Sequence, residues 1–369
     1  MWQRILALAF KEFLALLKDP KSRFVIVGPP IIQLLVFGYA ATYDVSQIPY
    51  AVYSEDPGSA AQDLLSHFQG SENFQQVARL DRQGQIAPAI DSKRALMVIH
   101  IGPRFTADLL SGHTGTVQVI VDGRNSNTAL IVLNYVRSIV GSFNEHWARS
   151  HGLAQPPAHL VTRAWFNANL RSRWFIVPGI VGLLTLVVTM LVTALSVARE
   201  REQGTFDQLL VTPLRPVEIL MGKAVPGFVI GIVEASLIIA VAVLWFDVPL
   251  RGALLTLYAG LALFLLSAVG VGLMISSLAV TQQQGLLGAF LFLVPAVILS
   301  GFATPIANMP TAVQYITLVN PMRYFMVVLR GVFLEGMSFD LLISQMWPMA
   351  AIGAVTLAIA GWLFRHRMY

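Results

Sequence analysis

Long apolar runs alternate with polar segments along the chain, and the length of the runs predicts membrane-crossing helices. A helix needs about 20 mostly apolar residues to cross the hydrocarbon core of a bilayer. Six runs come close to that length, and a long polar segment separates the first run from the second. The predicted transmembrane helices are 24–43, 174–198, 224–246, 252–277, 285–302 and 345–364. The pattern therefore predicts an α-helical integral membrane protein with six transmembrane helices.

A further apolar run, residues 311–334, carries polar breaks that do not suit a membrane-crossing helix. Asn320-Pro321 interrupts helical hydrogen bonding, because proline has no amide proton and restricts the residue before it. Arg323 and Arg330 would each cost roughly 2.5–3.5 kcal/mol near the centre of a bilayer. We therefore expect outer re-entrant helices within 303–344, which dip into one leaflet and return, and not a seventh span.

The N-terminal segment, residues 1–23, predicts an amphipathic interface helix. Its apolar residues recur at helical spacing opposite a basic face; they are Trp2, Ile5, Leu6, Ala9, Phe10, Phe13 and Leu17. Two placements remain open, one in the headgroup region of the membrane and one packed on the chain's own transmembrane helices. No cleavable signal peptide is expected, because Lys and Arg residues interrupt the apolar positions of this segment.

The polar segment 44–173 predicts an inserted α/β domain outside the membrane. Strand-like runs lie at 50–53, 74–80, 95–101 and 116–121. Helical patterns lie at 60–68, 85–91 and 105–110, and a long helix is predicted over 127–149. Strands that alternate with helices are typical of a small α/β domain. The histidines of the segment are scattered without metal-ligand spacing, so no metal site is expected.

Composition agrees with a membrane protein, and charge gives its orientation. Hydrophobic residues make up 56% of the chain and charged residues 12%, where a soluble domain carries roughly 25% charged residues. The chain has no cysteine, which excludes disulfides and thiolate sites. Basic residues cluster in the N-terminal segment, in the loop 199–223 and in the C-terminal tail, which predicts that both termini are cytoplasmic. Arg171 and Arg173 fall on the outer side, but the rule is weak after a long domain.

The loop 199–223 carries the pattern of a docking segment. Gly204 is a helix terminator, and Thr205 with Gln208 forms a capping box for a short new helix. Phe206, Leu209 and Leu210 lie on one side of that helix, where we expect them to be exposed, and the helix ends at Thr212-Pro213. Pro216 and Glu218 then begin the next span, where proline and an acid suit the first turn. Two interpretations remain open: a helix that fills a groove in a partner, or an ordinary loop helix lying on the membrane.

The order of these motifs resembles the ABC-2 type permeases, which are the transmembrane subunits of type V ABC exporters. The resemblance rests on Arg-Glu-Arg-Glu-x-Gly-Thr from Arg199, the Thr-Pro pair, Gly222-Lys223, and Asn-Pro-Met-Arg-Tyr from Asn320. It covers the whole chain and is greatest with the YhhJ/YbhR-like multidrug efflux permeases. Asp207 departs from the glutamate that is more usual there, although the charge is kept.

The resemblance implies partners and site residues. Two permease subunits, identical or paired with a sister protein, would form the pore, and ABC ATPase subunits that bind ATP and Mg would dock below them. The chain has no phosphate-binding loop, so no cofactor and no enzymatic activity are expected on it. The implied ATPase-coupling residues are Arg199, Glu200, Arg201, Glu202, Gly204, Thr205, Phe206, Asp207, Leu209, Leu210, Thr212, Pro213, Glu218 and Lys223. An external gate would contain Asn320, Pro321, Arg323 and Tyr324.

Two features of the predicted spans need a separate interpretation. Glu234 lies in the middle of the third span, where an acid is a candidate for the substrate path, although pairing with Ser or Thr on a neighbouring helix is the commoner arrangement. Gly270 and Gly272, with Ser267 and Ser276, give the fourth span a face of small residues. Such a face predicts a close contact between helices.

The predicted function is export of amphiphilic drugs or lipid-like compounds across a bacterial inner membrane. One alternative is a membrane subunit that transmits force to a periplasmic partner, such as an adaptor protein. A second is a secondary transporter without an ATPase, although such proteins usually carry inverted repeats and several buried ionisable groups. Membrane lipid is an expected partner and nucleic acid is not. Substrate identity, the choice of ATPase and the dimer type do not follow from the sequence.

Overall fold

Helices dominate the protein, and one short run of strands interrupts them. The computed structural model describes residues 2–40, 47–152, 165–167, 171–206 and 214–366. The helices and strands are, in chain order, α1 (Trp2–Lys18), α2 (Pro20–Ala40), β1 (Ile48–Ser54), α3 (Ser59–Gln69), β2 (Phe74–Leu80), α4 (Ile86–Asp91), β3 (Met97–Ile101), α5 (Phe105–Leu110), β4 (Val117–Val121), α6 (Ser126–Ser150), α7 (Ser172–Glu202), α8 (Pro216–Leu244), α9 (Leu254–Leu278), α10 (Gln282–Ile298), α11 (Thr311–Ile316), α12 (Pro321–Arg330) and α13 (Phe339–His366). A 3₁₀ turn over Thr317–Val319 follows α11, and a π-helical turn over Gly331–Glu335 follows α12. The chain forms a helical unit, Met1–Ala41 with Ala164–Tyr369, and a second unit, Thr42–Arg163.

The helical unit contains helices long and apolar enough to cross a membrane. Among the described residues, α7, α8, α9 and α13 meet both criteria. Two shorter apolar segments accompany them. One is Ile26–Tyr39, which lies within α2, and the other is α10. These helices lie on the six predicted apolar runs, with ends that differ by up to eight residues. The unit is therefore that of an integral membrane protein.

Several helices extend beyond the predicted apolar runs, because helical hydrogen bonding does not stop where the apolar residues do. Helix α2 begins at Pro20, since proline fits the first turn of a helix. Helix α7 continues through its charged end to Glu202, and α8 begins at Pro216. The connection between α7 and α8 is therefore 203–215, shorter than the predicted loop.

Glycines in α9 bring it close to its neighbours in the helical unit. A Cβ on Gly272 would lie 1.8 Å from Oγ1 of Thr193 on α7. A Cβ on Gly270 would lie 2.2 Å from Oγ1 of Thr356 on α13. No larger residue fits at either position without a shift of the facing threonine or of its helix. The predicted small-residue face is thus a close contact on two sides.

Serines on the same face of α9 hydrogen-bond to the neighbouring backbones. The Oγ of Ser276 accepts from the amide of Val197 on α7 at 2.9 Å. The Oγ of Ser267 donates to the carbonyl of Met349 on α13 at 2.7 Å. Both serines are buried, so these hydrogen bonds are shielded from water.

The segment between α10 and α13 bends sharply. Its two halves, Thr311–Val319 and Pro321–Glu335, meet at 86°. At the bend, the side-chain amide of Asn320 donates to the Ala296 carbonyl near the end of α10 at 2.7 Å. In the second half, the Val332 carbonyl accepts from the amide of Gly252, between α8 and α9, at 2.8 Å. The bend therefore contacts the end of α10, and the last turn of the segment contacts the α8–α9 connection.

Residues Thr42–Arg163 form an α/β unit with a four-stranded sheet in the order β2-β1-β3-β4. Strand β1 is parallel to β2 and β3, and β4 is antiparallel to β3. All four strands and the helices α3 to α6 lie within about two residues of their predicted positions. The long helix α6 contributes Val132, Val136, Phe143 and Trp147 to the core of this unit.

An aspartate after β1 fixes the carboxyl edge of that sheet. Asp56 accepts from the amide of Gly58 at 2.7 Å and from the amide of Thr106 at 2.5 Å. Burial favours the neutral carboxyl group, but these hydrogen bonds prevail and hold the pKa of Asp56 below its usual value. Asp56 thereby joins the beginnings of α3 and α5.

Candidate coupling site

The C-terminal end of α7 is a Schellman motif. Gly204 has a φ of +69°, a left-handed conformation that glycine adopts without strain. The amide of Gly204 donates to the Arg201 carbonyl at 3.1 Å, and that of Thr205 donates to the Glu200 carbonyl at 3.0 Å. The hydroxyl of Thr205 also donates to the Glu200 carbonyl, at 3.3 Å. The chain therefore leaves α7 in a fixed direction, as Gly204 predicts.

The beginning of α8 is fixed as well. Pro216 occupies the first turn, and the Glu218 carboxylate accepts from the amide of Arg215 at 2.8 Å. Only 3% of Glu218 is exposed, and an acid in the first turn stabilises the positive end of the helix dipole. Both ends of the α7–α8 connection are thus held by the local sequence.

A buried cluster of charges joins these two helices to α1. Nζ of Lys223 on α8 lies 2.5 Å from Oε2 of Glu200 on α7 and 3.1 Å from Oε1 of Glu12 on α1. Nζ of Lys11 lies 2.9 Å from Oε1 of Glu200. The Lys223 side chain has no exposed area, and those of Glu12 and Glu200 are 11% and 8% exposed. We call Lys11, Glu12, Glu200 and Lys223 the charge cluster.

The charges within this cluster depend on one another. Two carboxylates share the Lys223 ammonium group, whose burial would be unfavourable without them. Burial raises the pKa of the Glu12 carboxyl group, Lys223 opposes that rise, and Glu200 adds to it. The arrangement links α1, α7 and α8 by contacts that none of the three helices could make alone.

Sequence reasoning did not identify Glu12. The signal was present, because Glu12 continues the spacing of Ile5, Leu8 and Leu16, which are all buried in the structure. An acid on the buried stripe of an amphipathic helix indicates a partner of opposite charge. That stripe packs on α8, so α1 takes the second of the two placements left open by the sequence, on the chain's own helices. Trp2 and Phe10, on another face, remain 73% and 66% exposed.

Three further predicted coupling residues lie near the end of α7. Arg199 lies in the last turn of α7, where a positive charge suits the helix dipole. Arg201 donates to the carbonyls of Ser277 and Ala279 at 3.0 and 3.1 Å. Glu202 accepts from the amide of Gln282 at 2.7 Å, at the beginning of α10. Arg201 and Glu202 therefore join the end of α7 to the α9–α10 connection.

Phe206 requires a correction. Its ring is 7% exposed and packs edge-on against Phe364 of α13, with centroids 5.8 Å apart. Arg201 also covers it, with its guanidinium carbon 4.9 Å from the ring centroid. The expected exposed position of Phe206 is wrong, because Leu8 and Ile219 form an apolar pocket for it within this chain. Asp207, Gln208, Leu209, Leu210, Thr212 and Pro213 lie outside the described residues.

The predicted gate residues anchor the bent segment at the other end of the helical unit. The side-chain oxygen Oδ1 of Asn320 accepts from the backbone amide of Met322 at 3.1 Å. It thereby caps α12, which begins at Pro321. Its amide group binds the free Ala296 carbonyl near the end of α10. One buried side chain therefore satisfies two helix ends.

Arg323 and Tyr324 bind the backbone of the preceding half of the segment. Arg323 donates to the carbonyl of Gln314 at 3.3 Å and to the hydroxyl of Thr317. The Tyr324 hydroxyl donates to the carbonyl of Leu318 at 2.9 Å. These contacts hold the bend closed and supply the arginine with polar partners.

Glu234 lies apart from both of these sites. It is 8% exposed in the middle of α8, and neither carboxylate oxygen has a hydrogen-bond partner among the described residues. Pairing with a Ser or Thr on a neighbouring helix, the alternative interpretation of this residue, is therefore not seen in the described part of the chain.

Known proteins are similar in sequence to this chain over most or all of its length. The model of a family described as ABC-2 family transporter protein matches residues 21–362. The "Probable multidrug ABC transporter permease YbhR" of Escherichia coli strain K12 is 38% identical over 369 residues, which is 100% of both chains. "Probable multidrug ABC transporter permease YbhS" of the same strain is 35% identical over 342 residues, or 91% of this chain and 89% of the relative. "Inner membrane transport permease YhhJ", also from that strain, is 28% identical over 366 residues, or 98% and 97% of the two chains.

Proposed function

Because the chain belongs to the ABC-2 family of transporter proteins, we propose that it is the permease subunit of an ATP-driven exporter. It is a membrane transport protein, and the ATP hydrolysis would take place on a separate ABC ATPase subunit. The observation that carries the proposal is the way in which the α7–α8 connection is held. A Schellman motif and a capped helix fix its two ends, and the charge cluster ties it to α1.

Such a connection can receive force and pass it on. An ATPase that binds the segment 207–213 would push on the ends of α7 and α8 together, because Glu200 and Lys223 are paired. Glu12 would carry the same displacement into α1. Buried ion pairs of this kind keep helices in register, because separating them exposes unpaired charges to an apolar surrounding.

The proposed topology has six spans, with both termini and the 203–215 connection in the cytoplasm of a bacterium. The α/β unit would then be periplasmic, and the bent segment between α10 and α13 would be re-entrant. Its contacts with the end of α10 and with the α8–α9 connection support this topology, because both lie opposite the 203–215 connection. A second permease subunit, identical or a sister protein, would complete the pore, with membrane lipid around it.

The bent segment would act as part of an external gate. Arg323 and Tyr324 hold its two halves together by hydrogen bonds to backbone carbonyls, and Asn320 ties the bend to α10. Such contacts can break and re-form as a unit, which suits an element that opens at one stage of transport. The relatives named as multidrug permeases support amphiphilic drugs as the cargo class.

Co-purification with a candidate ABC ATPase from the same organism tests the proposal. The wild-type protein in mild detergent should retain that ATPase and increase its rate of ATP hydrolysis. Leu209→Asp with Leu210→Asp should abolish retention, because two charges would replace the proposed apolar docking surface. The protein itself should still insert into the membrane.

The matched control places the same two changes elsewhere. Leu110→Asp with Leu130→Asp alters two exposed leucines of the α/β unit, outside the predicted spans, and it should leave ATPase retention unchanged. Failure of folded wild-type protein to retain any ATPase would overturn the proposal. Equal loss in both double variants would show that the 207–213 segment has no special role.

A further inference from the structure

A cavity of about 280 Å³ lies between α1, α2 and α8. Almost all of its lining is apolar, and Phe13, Ile31 and Val233 are among its walls. Glu234 is the single acid among the described residues that line it. The cavity is thus an apolar pocket whose described lining contains one carboxyl group.

Glu234 is poorly satisfied in its surroundings. Its two carboxylate oxygens are covered, and neither has a hydrogen-bond partner among the described residues. A charged carboxylate without a partner in an apolar environment is unfavourable by several kcal/mol. A cation in the cavity would offset that penalty through a Coulomb interaction, which is strong where the dielectric constant is low.

The cavity opens on the outer surface of the helical unit. Val27, Val233 and Leu237 line it and are 56%, 61% and 51% exposed. In a transmembrane helix these side chains face the hydrocarbon region, so a ligand dissolved in the membrane has a lateral route to the cavity. A ligand of this kind must itself be largely apolar.

We propose that the cavity between α1, α2 and α8 is a binding site for lipophilic monocations, with Glu234 as the counter-charge. The apolar walls would hold the hydrocarbon or aromatic part of the ligand, and the carboxylate would attract its ammonium or phosphonium centre. Because the carboxylate is covered, attraction through space matters more than a hydrogen bond, and a quaternary cation fits as well as an amine. As an entry point for cargo, the site rests on the proposed exporter function.

The site also touches the region that responds to the ATPase. Phe13 and Leu17 of α1 line it, and α1 carries Glu12 of the charge cluster. A displacement of α1 would therefore change the cavity walls. Occupancy of the cavity would therefore be linked to movement of α1, although no residue belongs to both the cavity lining and the charge cluster.

Binding of tetraphenylphosphonium to the full-length protein in lipid nanodiscs tests the site. The measurement uses neither ATPase nor nucleotide, so it succeeds or fails independently of ATPase docking. Wild-type protein should bind the cation above the level of empty nanodiscs, and Glu234→Gln should weaken binding at least tenfold. Glu335→Gln, which removes an exposed acid elsewhere in the helical unit, should bind as the wild type does.

A second variant obstructs the opening of the cavity and leaves the acid in place. Val233→Trp should also weaken binding, because Val233 lies at the exposed opening and the indole would narrow the route into the cavity. Unchanged melting temperatures would show that the variants are folded. Wild-type binding no greater than that of empty nanodiscs, or undiminished binding by Glu234→Gln, would overturn the proposal. Loss in Glu234→Gln with full binding in Val233→Trp would overturn the position of the site.

Discussion

At the scale of single residues, Lys223 is the buried cation that pairs with both acids of the charge cluster, Glu12 and Glu200. Lys223→Met should lower the free energy of unfolding by about 3–5 kcal/mol, because it leaves two buried carboxylates without their cation. Thermal unfolding in detergent measures this change. Adding Glu12→Gln and Glu200→Gln to Lys223→Met should restore much of the stability, because the unpaired charges are then gone.

Lys11 provides a control within the same cluster. Its side chain is 54% exposed, although it lies 2.9 Å from Glu200. Exposed ion pairs contribute at most about 1 kcal/mol, so Lys11→Met should have a small effect. Equal destabilisation by Lys11→Met and Lys223→Met would show that burial is not what makes Lys223 important.

Asn320 allows its two roles to be separated. Asn320→Asp keeps an oxygen to cap α12 but loses the donor to the Ala296 carbonyl. We expect the free energy of unfolding to fall by about 1–3 kcal/mol, since the buried Ala296 carbonyl is left without a donor. Hydrogen exchange of residues 311–335 should become faster. Asn125→Asp, at the exposed cap of α6, should leave exchange in its helix unchanged, and an equal effect at both caps would contradict the role of the Ala296 contact.

At the scale of elements, the contact between α7 and α9 depends on Gly272. Gly272→Ala should destabilise the protein by about 1–3 kcal/mol, because the new methyl group would overlap Thr193. Thr193→Ala should recover part of that loss when the two changes are combined. Thermal unfolding of both single variants and the double variant gives the coupling between them.

Gly141 offers the opposite case for comparison. It also lies in a helix, α6, but a Cβ there would meet nothing within 4 Å. Gly141→Ala should therefore stabilise α6 by roughly 1 kcal/mol through helix propensity alone. If Gly272→Ala behaved as Gly141→Ala does, close packing of α7 on α9 would not be what the glycine provides.

Elements were predicted well where the signal is local. The strands β1 to β4 follow short runs of β-branched and aromatic residues, and Gly204 and Pro216 mark helix ends that the structure has. Such features depend on neighbours in the sequence. The position of Phe206 was predicted wrongly because its pocket includes Phe364, which is distant in the chain.

At the scale of the whole molecule, the contacts that build the candidate coupling site join segments that are distant in the sequence. Glu12 and Lys223 are 211 positions apart, and no periodicity relates them. The order β2-β1-β3-β4 and the cavity beside Glu234 are likewise products of packing. The sequence therefore predicts which residues are unusual, and the structure decides which of them meet.

The path of the chain through the membrane can be tested without removing any native cysteine, because the chain has none. Ala307 and Ser338 are exposed and flank the bent segment. If that segment is re-entrant, Ala307→Cys and Ser338→Cys should both react with a membrane-impermeant maleimide added to intact cells. If the segment crosses the membrane, only one of the two should react.

Two reference positions make the labelling decisive. Glu72→Cys in the α/β unit should react from outside, and Gln203→Cys beside the end of α7 should react only after the membrane is opened; both side chains are exposed in the structure. Reaction of Ala307→Cys with protection of Ser338→Cys would replace six spans by seven and move the C-terminus to the outer side. Since Phe364 of α13 packs against Phe206 at the α7–α8 connection, we expect instead that α13 returns to the cytoplasmic side, where an ATPase can reach it.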